Sequence, residues 1–271
     1  MNTKPKKLYL LEEMTLGDVR ELRPEVAVLP MGATEPHNLH LPYGTDSLEA
    51  WYLASQCCER ATELGGRIVQ LPVVPFGTET NLREFPLAMN LNPSTLALVL
   101  RDLLETLQQS GVRKLLILNS HGGNDFKPVL RELYGQTDVQ IFLCNWYQMI
   151  RDFANQVCEH SDDHAGEMET SLIMAFRPDL VRRSADGTGL AADAGSRRPM
   201  QFEALREGWV AMTRPWHLLT TNSGSGDPHA SSAEKGERIA QEVVNRVAPF
   251  LAELSAAKVD AYFPFLSPVE S

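Results

Sequence analysis

Four side chains able to hold a divalent cation, Glu35, His37, His40 and Asp46, fall within 12 residues directly after the apolar run Val26–Pro30. Carboxylate oxygen and imidazole nitrogen together suit zinc, manganese or iron, which accept mixed ligand sets. A second segment of the same kind, Asn119-Ser120-His121-Gly122-Gly123-Asn124, follows another apolar run and brings one more imidazole. A third, Asp162-Asp163-His164 through Glu167-Met168-Glu169, opens an apolar helix that must stop before Pro178. In that helix Glu169 shares the i+3, i+4 and i+7 face with Leu172, Ile173 and Phe176, so it is expected to point toward the core. A carboxylate there is costly unless a cation compensates it. Glu167 is expected to cap or pair at the surface.

Taken singly, each residue has an ordinary explanation. His37 and His40 suit a polar loop, Asp46 a helix N-cap, and His121 a hydrogen-bonded core histidine. Three separate clusters of Glu, His and Asp at strand ends and a helix start favour a shared metal site instead, with His40 read as structural.

The elements that must position these residues follow from periodicity. Apolar, β-branched runs at Val26 to Leu29, Ile68 to Val74, Leu115 to Leu118 and Val139 to Leu143 alternate with helical stretches. That alternation predicts an α/β fold, a mostly parallel central sheet flanked by helices. One helix is expected to start near Asp46 and run toward Gly65, and another to open at Asn92-Pro93-Ser94 and close at Ser110-Gly111. Ile239, Val243, Val244, Val247 and Leu251 mark a terminal amphipathic helix from Ala233. The Gly- and Pro-containing stretches 186–198 and 220–232 are expected to be irregular. In open α/β sheets ligands bind beyond the carboxyl ends of strands, which is where both His-bearing loops lie.

With 271 residues, 43% of them hydrophobic, the chain is expected to form one domain, residues 1–271. A net charge of −10 argues against nucleic acid or an anionic membrane as partner and suits a small-molecule substrate. No run reaches membrane-span length and Met1 to Lys7 lead into no signal-type apolar core, so a cytoplasmic protein is expected. Cys57, Cys58, Cys144 and Cys158 contain no CxxC pair and read as buried free thiols.

Together the motifs resemble the creatininase (creatinine amidohydrolase) family. They are Glu35-x-His37-x-x-His40-Leu-Pro-x-x-Thr45-Asp46, Asn119-x-His121-Gly-Gly-Asn124, His164-Ala-Gly-Glu-x-Glu169-Thr-Ser, and Gly226-Asp-Pro228 followed by Ala233-Glu-Lys-Gly-Glu237. The resemblance implies a three-layer α/β domain, a hydrolytic site with two divalent metal ions, and a homo-oligomer, often a hexamer. Carried over by position, Glu35 and His121 would hold one metal, His37 the other, and Asp46 both. His164 would carry a proton to the leaving group.

The chain also departs from the family's pattern. Gly122 and Gly123 stand where creatininase proper has a tyrosine and a metal-binding glutamate, so Glu169 is expected to complete the second site. The tryptophan and aspartate that embrace creatinine are replaced around His160, Ser161 and Asp162, and Pro36 and Asn38 alter the first motif. The leading expectation is therefore a dinuclear hydrolase opening a small cyclic or formyl amide other than creatinine. Alternatives are hydrolytic opening of a cyclic ketone derived from a sugar or inositol, and a non-catalytic metal-stabilised binding protein. Thr78 to Arg83 are expected to line the pocket, with Trp146 and Tyr147 as an aromatic wall.

Overall fold

The computed structural model describes residues 7–160 and 164–267. The chain builds helix Leu16–Leu22 (α1), strand Val26–Met31 (β1), helix Thr45–Glu63 (α2), strand Ile68–Gln70 (β2), helix Pro93–Gln109 (α3), strand Lys114–Asn119 (β3), helix Lys127–Leu133 (α4) and strand Gln140–Asn145 (β4). After the sheet come Trp146–Met149 (α5), Arg151–Val157 (α6), Glu167–Phe176 (α7), Glu203–Arg206 (α8), Trp216–Leu219 (α9) and Ala233–Ala256 (α10).

The four strands pair in parallel in the order β2-β1-β3-β4. Because side chains alternate across a strand, the inner strands serve two cores. Val26, Val28, Leu116 and Leu118 pack toward α2 and α10, while Ala27, Leu29, Leu115 and Ile117 pack toward α3 and α4. Leu96, Leu100, Leu104 and Leu107 of α3 recur at helical spacing and are all buried. Burial of each contributes roughly 1.5–3 kcal/mol against exposure. Helices thus cover both sheet faces, the three layers expected from the alternation. No helix among the described residues is long and apolar enough to cross a membrane.

The crossover leaving β1 runs to β2 on one side and the one leaving β3 runs to β4 on the other, so they part between β1 and β3. At such a switch point the loops leaving β1 and β3 diverge and open a crevice. The register Met31↔Asn119 puts those two strand ends level, so loops 32–44 and 120–126 face each other.

Several boundaries differ from expectation. The run expected from Ile68 to Val74 forms a strand only to Gln70, since Pro72 has no N–H for the ladder, and Val74 meets Met31 in an isolated bridge. The last strand lies slightly later than Val139–Leu143, at Gln140–Asn145, and is half-buried at the sheet edge. Cys57 and Cys58 are buried, whereas Cys144 and Cys158 are only half-buried, and none of the four forms a disulfide among the described residues. The Asp162-Asp163 helix start, with Ser161, lies outside the described residues.

Candidate metal centre

The loop after β1 turns at Gly32 and delivers Glu35 and His37, and Ser47 Oγ donates to Ala33 O at 3.0 Å, tying the start of α2 to that loop. Asp46 therefore enters the same space. It does not cap α2; Gly44 holds the N-cap position, and the Asp46 side chain turns inward. From β3, Asn119 and Asn124 stitch the facing loop. Asn119 Nδ2 donates to His121 O at 2.8 Å, and Asn124 Nδ2 donates to Gly32 O at 3.2 Å and Asn119 Oδ1 at 3.1 Å.

These placements converge. His37 Nε2 lies 3.1 Å from Asp46 Oδ1, 3.9 Å from Glu169 Oε2 and 4.0 Å from Glu35 Oε1. His121 Nδ1 lies 3.0 Å from Asp46 Oδ2 and 3.2 Å from Glu35 Oε1, and His164 Nδ1 is 3.5 Å from the same Glu35 oxygen. Three sets have donor atoms close enough to surround an ion: Glu35-Asp46-His121, His37-Asp46-Glu169 and Glu35-His37-His164. Asp46 offers one oxygen to each of the first two. All six residues except the half-buried Glu169 are buried.

Each imidazole has one nitrogen committed to a backbone carbonyl. His37 Nδ1 donates to Glu35 O at 3.0 Å, His121 Nε2 to Thr78 O at 3.1 Å, and His164 Nε2 to Pro36 O at 2.8 Å. That fixes the tautomer and turns the other ring nitrogen, with its lone pair, toward the carboxylates, as metal-ligating histidines require. The carboxylates fit as well: Glu35 Oε2 is buried without a hydrogen-bond partner, and the 3.0 Å approach to Asp46 Oδ2 lacks hydrogen-bond geometry. Three clustered carboxylates need positive charge nearby. Without a cation, protons supply it. Burial opposes charging His37, yet Asp46, Glu169 and Glu35 outweigh it and lift its pKa to about 10. His121 is likewise raised by Glu35 and Asp46 against burial, while burial and the neighbouring His37 hold His164 down. Divalent ions would displace the protons on His37 and His121.

Position 123 offers no side chain to the cluster. A Cβ on Gly123 would sit 2.2 Å from Thr78 O and 2.4 Å from His121 Nε2, so no side chain fits there. Glu169 of α7 reaches the cluster from the other side, 3.9 Å from His37 Nε2, its Oε2 fixed by the Ala165 N–H at 2.5 Å, with Ala165 itself at φ 52°.

The two glutamates of α7 do not divide between core and surface as their helical spacing predicts. Glu167 is not at the surface: it is fully buried, pairs with Lys235 Nζ at 2.6 Å, and accepts the N–H groups of Glu159 and His160. Because α7 is enclosed by α2, α10 and the preceding turn, residues 170–174 are all buried and amphipathic spacing cannot separate the two glutamates. His40 lies outside the cluster, its Nε2 bonded to Thr170 Oγ1 at 2.8 Å. Trp146 and Tyr147 line a cavity beside Glu169, but residues 78–83 do not. Instead Leu82 packs on Trp216 and Leu219. Sequence reasoning missed Glu79, which is buried with Oε1 3.9 Å from His121 Nε2 and is pushed up to about 8 by burial, with Glu35 and Asp46 adding to the shift. It also missed Trp216, whose ring meets His164 edge-on at 5.1 Å. Glu79 sits in a loop and Trp216 at the start of the four-residue α9, neither of which gives a periodic signal.

The family model for creatinine amidohydrolase matches residues 12–251. The mycofactocin precursor peptide peptidase of Mycobacterium ulcerans is 27% identical over 80% of this chain and 81% of its own length. Creatinine amidohydrolase of Pseudomonas putida is 28% identical over 58% and 66%. A 3-dehydro-scyllo-inosose hydrolase of Thermotoga maritima is 24% identical over 66% and 60%. The crystal structure of a proposed creatinine amidohydrolase from Bacteroides fragilis superposes with TM-score 0.86 at 37% identity, covering 94% of this chain and 99% of that one. Manganese and Zn-Zn forms of creatininase, both 22% identical, share the fold at TM-scores of 0.69 and 0.70, each covering 93% of this chain and 100% of the other. With its motifs in order and nearly its whole length matched, the chain belongs to the creatininase family of hydrolases.

Proposed function

We propose that this hydrolase cleaves an amide C–N bond with two divalent ions, one held by Glu35, Asp46 and His121 and the other by His37, Asp46 and Glu169. The observation that carries the reading is the buried Asp46, which offers one oxygen to each imidazole-carboxylate set. Solved manganese and zinc forms of creatininase support the choice of ion, and relatives named for a peptidase and an amidohydrolase support the bond. When bound, such a pair polarises a carbonyl and lowers the pKa of water.

The protein groups supply the proton traffic. His164 keeps its Nε2 proton on Pro36 O, and its depressed basicity leaves Nδ1 unprotonated near neutral pH. Nδ1 can then accept a proton from the attacking water and return it to the departing nitrogen. Asp46 and Glu35 hold the reacting zone negative and ordered, and Trp216 fixes the His164 ring against rotation.

The test is to incubate metal-loaded protein with lactams, formamides, creatinine and cyclic polyhydroxy ketones, and to follow addition of one water by mass spectrometry. Opening of an amide, abolished in Asp46→Ala together with metal retention, is the expected result. The Thermotoga relative favours a second reading, hydrolysis of a C–C bond in a cyclic ketone. Water gained only by the ketones would establish that one. Asp46→Ala that keeps both metals would refute the dinuclear arrangement.

A further inference from the structure

A cavity of about 720 Å³ opens beside the cluster, with Ser120, Gly122 and Glu169 on the metal side and Tyr147, Met168 and Arg151 among its other walls. Its size suits a ligand well beyond a bare amide. Gly122 leaves the passage open, since a Cβ there would meet only Tyr147 Oη, at 3.9 Å.

The carboxylates around the cavity each have a partner. Glu159 is bound by Lys235 at 3.0 Å. Asp152, next to Arg151 in sequence, is engaged by Arg246 through hydrogen bonds of 2.8 and 2.9 Å. Glu169 accepts the Ala165 N–H and faces His37. Among the described residues nothing neutralises Arg151, although the chain as a whole carries ten excess negative charges. A guanidinium presents a planar fork that matches a carboxylate in bidentate fashion.

We propose that Arg151 is a specificity-determining residue that binds a free carboxylate of the substrate, so that the substrates are acylated amino acids or short peptides ending in a carboxylate. The inference rests on the amide-hydrolase reading. The scissile carbonyl lies at the metal cluster, and the side chain next to the carboxylate packs on Tyr147 and Met168.

Calorimetric titration tests it, using metal-loaded protein with N-acetyl-Phe, N-acetyl-Ala-Phe and N-acetyl-Ala-Ala-Phe, each as free acid and as C-terminal carboxamide. At least one acid is expected to bind about 10- to 100-fold tighter than its carboxamide, the range of a charge-assisted bidentate contact. Arg151→Met should erase that preference and Arg151→Lys retain part of it, with melting temperature and metal content at parental values in both. Acids and carboxamides binding alike, no binding by any acid, or a preference surviving Arg151→Met would each overturn the proposal. Preference without hydrolysis of any probe, or of any lactam, formamide or creatinine, would leave the subsite standing and refute the amide-hydrolase reading instead. Hydrolysis without preference would do the reverse.

Discussion

Asp46 lies between two imidazoles because α2 begins immediately beneath the loop that carries His37. The two glutamates of α7 divide their roles by what surrounds them. Glu169 reaches the cluster and Glu167 reaches Lys235. Glu169→Gln is therefore expected to lose one of two metals per chain, by elemental mass spectrometry, with little change in metal-free stability. Glu167→Gln should retain both metals and unfold more easily by roughly 2–4 kcal/mol, because Lys235 is left half-satisfied against a buried partner. The opposite pattern would reverse the assignment. Most of the cluster was legible in the sequence, since Glu35, His37 and His121 occupy strand-end loops, and Asp46 a helix start, whose positions the alternation fixes. Glu79 was not, because nothing in a loop marks which side chain turns inward, and neither was Arg151, an exposed residue at the start of the short α6 that looks like any surface arginine.

Among the elements, α7 and α10 are held unusually close. A Cβ on Gly236 would sit 2.0 Å from Ser171 O, and Ser232 N donates to Ser171 Oγ at 3.3 Å. The Ala233-Glu-Lys-Gly segment is thus an assembly motif: Lys235 bonds Glu167 and Gly236 admits the neighbouring backbone. Gly236→Ala must separate the helices, and an overpacking cost of about 1–3 kcal/mol is expected in chemical unfolding. A variant as stable as the parent would show that the helices adjust freely. Periodicity revealed α2, α3 and α10 well, since each has an apolar stripe long enough to read. It gave no sign of α8 and α9, four residues each, whose existence depends on tertiary contacts such as Trp216 against Leu82.

For the molecule as a whole, His40 sets a pH response. Burial first, and then the nearby His37, push its pKa down to about 4, and its neutral ring bonds Thr170 across two elements. The stabilisation is fully present above the ordinary histidine pKa of about 6.5 and is lost as pH falls through 4. Between pH 7 and pH 4 the parent should therefore lose roughly 3 kcal/mol more stability than His40→Gln, read as the difference between two urea-unfolding series, in which groups common to both cancel. Parallel series would remove His40 as the cause.

The proposed ligands come from four stretches of chain, the loops after β1 and β3 and the first turns of α2 and α7, so that His37 and Glu169 meet across about half of the sequence. An ion seated among them would act as a removable crosslink on the unfolded chain, closing loops of up to a hundred residues or more. On chain-entropy grounds a crosslink of that span is worth about 4–5 kcal/mol. A chelator would then withdraw a structural tie along with the chemistry, and the enzyme's working lifetime would follow the free metal in its surroundings.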